Sequence, residues 1–373
     1  MMERRNFLKN TTMAAIGLSS LPLLSKGKSL PTSHIELREP YQPITPQIKI
    51  PRGAIYIPAK AYNTWQQWKE YDHDITLRDF GYAKSIGLNS LRIWLSYEYW
   101  LENPKRHEQC LEQLLQASDK MGLKILLALF DSCGVENTPE ARKDKHPKTA
   151  VAVMSPGLTI SRNKDRWKEP EKFVNRIMDI HSDDKRLLAI EVMNEPPLAN
   201  NRLAMSRYLF KAAKRKQRGI PLTIGSLPGM QNWGNFMDLD IDILQFHNNY
   251  PTKLAAFNND LTMAKEITEV LGRPVWITEW QRLRPAGNGW NQHKLPQNEL
   301  FPDFASLAPH VRKAEIGNYF WSLMVKPAYL TPQRNIGTIN GLFYEDGSVY
   351  SLADARAIAD NPNFMANEKK REK

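Results

Sequence analysis

The chain has 373 residues, 42% of them hydrophobic, which is enough for one large core or two smaller ones. Its formal net charge is +11, but residues 1–28 carry +4 of this and residues 367–373 carry +2, which leaves +5 on the remainder. Because that remainder lacks basic runs interleaved with aromatic residues, it does not favour a nucleic-acid binder, and the eight scattered histidines lack the spacing of a metal site.

Residues 1–28 have the layout of a signal peptide. A charged start precedes an apolar stretch from Thr11 to Leu24, which is too short to cross a bilayer. The run "RRNFLK", residues 4–9, is similar to the twin-arginine export motif, and the alternative is an ordinary secretory signal that contains two arginines. We therefore expect a periplasmic or secreted protein without stable membrane insertion.

A proline-rich arm over residues 29–52 is expected to lie over the following domain, residues 53–362, and residues 363–373 form a charged tail. Within the domain, three stretches repeat the order amphipathic helix, glycine, apolar strand: "RDFGYAKSIGLNSLRIWL", "LEQLLQASDKMGLKILLAL" and "LTMAKEITEVLGRPVWITE". In the second stretch, Gly122 is predicted to end the helix in a left-handed conformation. The strand that follows is apolar on both faces, which is typical of a parallel strand covered by helices.

Eight such strands are predicted, at residues 53–57, 90–95, 124–129, 188–193, 221–225, 242–246, 274–278 and 318–324. Helical stretches between them favour a single (β/α)8 TIM barrel. The alternative is a doubly wound sheet, which would normally carry a glycine-rich phosphate turn after its first strand, and "GAIYIPAKAYN" has none. Residues 131–169 then form a long polar loop at the C-terminal face of the barrel, where active sites of this architecture lie.

The two cysteines, Cys110 and Cys133, fall near the same end of neighbouring units. One disulfide between them is possible in an exported protein, and two free thiols are the default expectation.

Two predicted strands end in a carboxylate. Asn194 and Glu195 follow the fourth strand, which Pro196 and Pro197 prevent from continuing. Glu279 ends the seventh strand. A barrel would bring Glu195 and Glu279 to one mouth, and two opposed carboxyl groups are what glycoside hydrolysis requires.

Over most of residues 53–360 the chain resembles the clan A glycoside hydrolases, most closely the family 5 cellulases and mannanases. The motifs that carry the resemblance are "LRIW", "IEVMNEP", "FHNNY", "WITEW" and "YFWSLM". The resemblance implies that Glu195 is the general acid/base and Glu279 the nucleophile of a reaction that retains the β-configuration. It implies no cofactor, because only a proton and a glycosyl group move.

By the same resemblance, Arg92 pairs with the nucleophile and Asn194 binds the 2-hydroxyl of the sugar. Arg92 would keep Glu279 ionised, while burial and the charge of Glu279 would keep Glu195 protonated. The alternative for Arg92 is a structural role that balances Glu191 inside the barrel, and it is compatible with pairing to the nucleophile. The alternative for Asn194 is a turn residue at the end of the strand. Asp131 could hold a sugar hydroxyl, fix Arg92 or cap a turn.

Strand six departs from the family pattern. The family usually shows His-x-Tyr, whereas here Tyr250 follows His247 by three residues. Either Tyr250 reaches the nucleophile from a shifted loop, or Asn248 or Asn249 replaces it. His247 is either a site residue or a core histidine.

Trp321 on strand eight matches the aromatic floor under the reacting sugar, although a single strand tryptophan is more often a core residue. Further tryptophans at or beyond strand ends are candidate sugar platforms or loop-packing residues: Trp100, Trp233, Trp280 and Trp290.

These observations favour an exported, monomeric, retaining glycosidase acting on a β-mannan- or β-glucan-type carbohydrate. The alternatives are a barrel that binds sugars without cleaving them, and a transglycosylase. An acidic sugar stays open because four basic residues occur in the predicted loops, where solvated surface is the other interpretation: Arg162, Lys164, Arg282 and Arg284.

Overall fold

The computed structural model describes residues 41–227, 229–283, 301–328, 334–335 and 337–369. The described residues from 42 onward form one compact unit. The predicted signal peptide, Arg284 and Trp290 lie outside the described residues.

Eight parallel strands form a single sheet in the order β5-β4-β3-β2-β1-β8-β7-β6. Their bounds are β1 (Arg52–Ile55), β2 (Ser90–Trp94), β3 (Lys124–Ala128), β4 (Leu187–Glu191), β5 (Leu222–Thr223), β6 (Leu244–Asn249), β7 (Val275–Gln281) and β8 (Gly317–Phe320). Where the two end strands of this order meet, the amide of Asp242, just before β6, donates to the Leu222 carbonyl in β5 at 2.9 Å. All eight predicted strands are present, and the predicted TIM barrel is confirmed.

The helices surround the sheet. They are α1 (Thr64–Lys69), α2 (His73–Ser85), α3 (Tyr97–Glu102), α4 (Pro104–Met121), α5 (Pro139–Lys143), α6 (Leu158–Ser161), α7 (Lys168–His181), α8 (Arg202–Arg215), α9 (Leu254–Leu271), α10 (Ala308–Ala314) and α11 (Leu352–Ala359). Between β5 and β6 the described chain forms a 3-10 turn, Met230–Asn235, instead of an α-helix. A two-stranded ribbon, β9 (Lys326–Pro327) and β10 (Ile339–Asn340), follows β8.

Helix α4 shows how the sequence sets these elements. Asn103 caps its start by accepting from the Arg106 amide, and Pro104 occupies the first turn, where its missing N–H costs nothing. Gly122 ends the helix with φ 70°, as predicted. The buried positions Leu111, Leu114 and Leu115 turn one face of the helix toward the sheet.

Two apolar layers result, one between sheet and helices and one inside the barrel. The interior layer is small and includes Ile55, Leu126, Leu188, Trp276 and Tyr319. It fills the lower part of the barrel, so the polar side chains at the C-terminal strand ends rest on a packed base.

The described part of the predicted arm contacts the N-terminal end of the barrel. The Ile44 amide donates to Asp242 Oδ1 at 2.6 Å, and the Trp276 indole donates to the Lys49 carbonyl at 3.3 Å. The charged tail also returns to the domain, because the Val349 amide donates to the Asn367 carbonyl at 2.8 Å. None of the helices in the described ranges has both the length and the apolar character of a bilayer span.

The segment predicted as a long polar loop, residues 131–169, lies after β3 and carries short helices, α5 and α6, together with a 3-10 turn, Lys164–Trp167. A bridge between Asp131 and Ser155 ties the start of this segment to its middle next to the site.

Candidate active site

The two predicted carboxylates converge at the C-terminal mouth of the barrel. Oxygen atoms of Glu195 and Glu279 and a ring nitrogen of His247 all lie within 4.8 Å of one another. Both acids are shielded, with 12% of the Glu195 side chain and 6% of the Glu279 side chain exposed. The strand ends after β4 and in β7 therefore deliver the two acids to one place.

A bulge in β7 aims Glu279 inward. Phe246 pairs with Ile277, but the next residue, His247, pairs with Glu279, so Thr278 is the extra residue. The Thr278 hydroxyl donates to Gln245 Oε1 at 2.7 Å inside the barrel. Two consecutive residues thus face inward, which regular strand alternation would not allow.

Arg92 lies in β2 at the centre of the polar layer and is fully buried. Its guanidinium donates to Glu279 Oε1 at 2.7 Å, to both oxygens of Glu191 at 2.6 and 2.8 Å, and to Asn194 Oδ1 at 2.7 Å. It also lies 4.4 Å above the ring of Trp94. Both interpretations of Arg92 therefore hold, because it contacts the candidate nucleophile and balances Glu191.

His247 lies against the candidate acid/base. Its Nδ1 is 2.5 Å from Oε1 of Glu195 and 3.6 Å from Oε2 of Glu279. Burial alone would raise the pKa of Glu195, but the neighbouring His247 outweighs it and lowers that pKa. Burial alone would lower the pKa of His247, but Glu279 and Glu195 raise it. The lowered pKa of Glu195 runs against the expectation that burial and the charge of Glu279 keep this carboxyl protonated.

The departure at strand six is resolved by Asn249. Its amide donates to Glu279 Oε2 at 3.0 Å, and Gln281 Nε2 donates to Asn249 Oδ1 at 3.1 Å, which fixes the orientation of that amide. Asn248 instead donates to Asp260, on α9. Tyr250 lines the pocket, with its hydroxyl 3.5 Å from Asn340 Oδ1. Asn249 thus supplies a contact to the carboxylate from the strand position where the family pattern has tyrosine.

Asp131 orients Asn194 and shapes the turn after β3. Its Oδ1 accepts from Asn194 Nδ2 and from the Cys133 amide, both at 2.9 Å. Burial raises the pKa of Asp131 to about 7. Burial and the surrounding carboxylates raise the pKa of the Cys133 thiol, which donates to Glu195 Oε2 at 3.0 Å. Neither cysteine forms a disulfide, in line with the default expectation of two free thiols.

Among these side chains, Asp131, Asn194, Glu195 and Glu279 line one pocket at the mouth of the barrel. Trp321, which is predicted as the aromatic floor, lines this pocket. Its ring meets that of Trp94 edge-on, with 6.1 Å between the ring centroids. The pocket therefore combines paired carboxylates with aromatic faces that suit the C–H face of a pyranose.

The other predicted sugar platforms that the structure describes, Trp100, Trp233 and Trp280, do not line this pocket. Trp280 is 1% exposed and packs against Phe304 and Phe320 in the layer between sheet and helices, so its prediction as a substrate-binding residue is wrong in location. The alternation of β7 after the bulge turns it outward. Trp100 packs against Phe173, and the Trp233 indole donates to the Gln245 carbonyl.

Three of the four basic loop residues named in the sequence analysis are described by the structure, and none of these three lines the pocket. Arg162 donates to Asn200 at the surface, Lys164 lies beside Trp167, and Arg282 donates to Ser306. The acidic-sugar alternative therefore has no support from these three side chains.

The backbone at two site residues is strained. Glu195 has φ 41° and Tyr250 has φ 59°, in the left-handed region that side chains other than glycine seldom adopt. Such conformations persist where the surroundings impose them, and they concentrate at functional sites.

Sequence reasoning missed several pocket residues, among them Trp94, Cys133, Lys326 and Arg334. Trp94 directly follows the "LRI" that marks Arg92, so its position at a strand end was a usable signal. Lys326 and Arg334 lie in the irregular segment after β8, where no periodicity predicts the path of the chain.

The grouping of Glu195, His247 and Glu279 could also hold a metal ion, since each offers one ligand atom. Both carboxylates already have a partner, because His247 lies against Glu195 and the guanidinium of Arg92 lies against Glu279. Much of the negative charge that would attract a metal ion is therefore already balanced.

The fold is similar to that of solved glycoside hydrolases. An exo-β-1,4-mannosidase from Opitutaceae bacterium strain TAV5 aligns with a TM-score of 0.58 at 16% identity, covering 83% of this chain and 58% of that one. An endo-1,4-β-D-mannanase from Thermotoga petrophila RKU-1 aligns with a TM-score of 0.56 at 12% identity, covering 83% and 98%. A family 5 mannosidase from Rhizomucor miehei aligns with a TM-score of 0.57 at 12% identity, covering 83% and 92%.

At these identities the likeness establishes a shared barrel fold, and this chain spans 58% of the Opitutaceae enzyme. No protein-family model matches the chain, and no curated protein sequence matches it.

Proposed function

We propose that this protein is an exported, retaining glycoside hydrolase that cleaves β-glycosidic bonds of a β-mannan-type carbohydrate. The observation that carries the proposal is the pair of carboxyl groups, Glu195 and Glu279, with oxygen atoms within 4.8 Å. Retaining enzymes hold these two groups at roughly 5–5.5 Å, whereas inverting enzymes leave a wider gap for water.

In the first step, a carboxylate oxygen of Glu279 attacks the anomeric carbon as the glycosidic C–O bond breaks. The leaving oxygen takes a proton from Glu195, which receives it from His247 along their short contact. Arg92 and Asn249 hold Glu279 through its two oxygens, so the carboxylate is fixed before substrate arrives.

In the second step, water attacks the same carbon, the bond to Glu279 breaks, and Glu195 takes the proton of the water. Asn194 is held by Arg92 and Asp131 at the edge of this centre, where it is placed to bind the 2-hydroxyl. The two steps together consume one water and release one sugar hemiacetal.

The choice of mannan rests on the neighbours of similar fold, which include mannosidases and mannanases. The choice of a hydrolase over a barrel that only binds sugars rests on the complete set of both acids, Arg92 and Asn194 around one pocket.

The test is a panel of aryl β-glycosides and β-linked polysaccharides, assayed with variants at both acids. Glu279→Ala should lower activity by roughly 10⁴-fold or more, because the covalent route is lost. Added azide should then give a glycosyl azide of inverted configuration. Glu195→Ala with azide should give the product of retained configuration.

Glu108→Ala removes an acid that pairs with Arg176 at the surface and serves as the control, with activity unchanged. Activity on no β-linked substrate, or full activity of Glu279→Ala, would reject the proposal.

A further inference from the structure

We propose that the protein acts at chain ends and removes one sugar unit at a time from the non-reducing end. This inference rests on the proposed function. It comes from three segments that rise around one side of the pocket, here called the wall: residues 56–66 after β1, residues 129–157 after β3, and the described part of residues 321–340 after β8.

The first two wall segments are tied together by side-chain amides. Gln66 Nε2 donates to the carbonyls of Arg142 and Asp144 at 2.8 and 2.7 Å, and Asn63 Nδ2 donates to the Arg142 carbonyl at 3.1 Å. Gln66 and Asn63 are buried, with about 1% of each exposed, so these bonds are shielded from water.

The first and third segments are joined by Lys326. Its Nζ donates to the carbonyls of Pro58 and Ala61 at 3.1 and 2.9 Å. Because the ammonium is used by two backbone carbonyls, it holds the segment after β1 against the segment after β8 while its side chain lines the pocket.

Arg334 joins the second and third segments. Its guanidinium donates to the Ala150 carbonyl on one side and to the Ala328 carbonyl, at 2.9 Å, on the other. It also lies 5.7 Å from the ring of Tyr62 in the first segment and is only 8% exposed. Every pair among the three segments is thus connected, and the wall is a closed set of contacts.

The position of the wall determines which sugar it encloses. The wall stands over the β8, β1, β2 and β3 side of the barrel, and all three of its segments line the pocket that holds the acids. Glu195, which must face the leaving oxygen, projects from the β4 end and is the more exposed acid. One oxygen of Glu195 accepts from Cys133 at the edge of the wall, and the other faces His247 in β6. The leaving group therefore departs on the β4 to β6 side, and the sugar attacked by Glu279 sits against the rest of the wall.

In the part of the chain that the structure describes, the wall occupies the space that further units on the non-reducing side of this sugar would need. The bond cleaved is then the terminal one, and each hydrolysis consumes one water and yields one monosaccharide and a chain shorter by one unit. Chain-end action explains why a site of polysaccharide-hydrolase type is closed on one side by buried, hydrogen-bonded loops.

The experiment follows the products of β-1,4-mannotetraose that carries a fluorescent label at its reducing end. The expected first products are unlabelled mannose and labelled trisaccharide, with the viscosity of soluble mannan falling only slowly. Early unlabelled di- or trisaccharide, or release of the labelled terminal sugar alone, would overturn the inference while leaving hydrolysis intact. Cleavage of no aryl glycoside, oligosaccharide or polymer would overturn both the inference and the proposed function.

Arg334→Ser removes the tie between two wall segments. It should raise the share of internal cleavage several-fold relative to terminal release, and a loss of both in equal proportion would count against the wall as the cause. Arg176→Ser, which breaks an exposed pair with Glu108, is the matched control and should leave the product ratio unchanged. Thermal unfolding of both variants separates a change in product from a loss of fold.

Discussion

Arg92 illustrates how one buried side chain can organise a site. A fully buried guanidinium lowers the stability of the fold if its charge is left unpaired. Here two carboxylates and an amide oxygen surround it. The planar fork of arginine fixes all three partners at once, which lysine could not do. The geometry of Asn194 and Glu279 is therefore set by a residue that lies two strands away from the first and three strands away from the second.

Two partly buried carboxyl groups, Asp131 and Glu98, predict how stability depends on pH. Burial raises the pKa of Asp131 and of Glu98 to about 7. Since the folded protein holds these protons and the unfolded chain releases them near pH 4, the stabilisation is complete below that pH and is lost as the pH rises through about 7. The free energy of unfolding should therefore fall between pH 4 and 8, and Asp131→Asn should reduce this fall by on the order of 2 kcal/mol.

Chemical denaturation at a series of pH values measures the effect. The amide oxygen of asparagine can still accept from Asn194 and the Cys133 amide, so the fold should persist. Glu98→Gln, which keeps an acceptor for the Ser155 hydroxyl, should flatten the curve similarly without altering the pH profile of activity. An unchanged slope in Asp131→Asn would show that this carboxyl is ionised in the folded protein.

At the scale of elements, the end of β5 approaches the polar layer so closely that only glycine fits. A Cβ at Gly225 would lie 2.5 Å from Glu191 Oε1 and 3.1 Å from the Asn194 Cα. Gly225→Ala should therefore destabilise the protein by about 1–3 kcal/mol and lower activity, because Glu191 must move away from Arg92.

Gly81→Ala in α2 is the matched control. A Cβ there meets no atom within 4 Å, and alanine should stabilise the helix by about 0.5–1 kcal/mol. Melting temperatures and kcat/KM of the two variants test the contrast, and equal stability of Gly225→Ala and the parent would mean that Glu191 can yield without cost.

The strands and the strand-end acids could be predicted because parallel barrel strands are apolar on both faces and end abruptly at polar residues. The bulge at Thr278 could not be predicted, because no residue of "VWITEW" marks an extra position in the strand. Trp280 is predicted as a pocket residue from its place at the end of β7, but the alternation after Glu279 turns it outward. Asn249 illustrates the same limit, since three consecutive polar residues gave no indication of which one faces Glu279. The wall residues Lys326 and Arg334 depend on tertiary contacts between loops that are far apart in sequence.

At the scale of the whole molecule, the proposed export places the enzyme where polysaccharide is found. The motif at residues 4–9 lies outside the described residues, and its role is a proposal from sequence. Replacing both Arg4 and Arg5 by lysine should block delivery by the twin-arginine route and leave the protein in the cytoplasm, as cell fractionation would show. Undiminished export of this double variant would instead indicate an ordinary secretory signal.

The short fifth strand has a further consequence. The β1–β8 junction, between strands far apart in sequence, has three paired residues, whereas β5 and the residues before β6 share a single backbone bond at Asp242. Glu195 and His247 lie on opposite sides of this seam, so an opening of the barrel there would lengthen the contact between His247 Nδ1 and Glu195 Oε1. We therefore expect the rate of proton transfer between His247 and Glu195 to depend on how firmly β5 and β6 are held together.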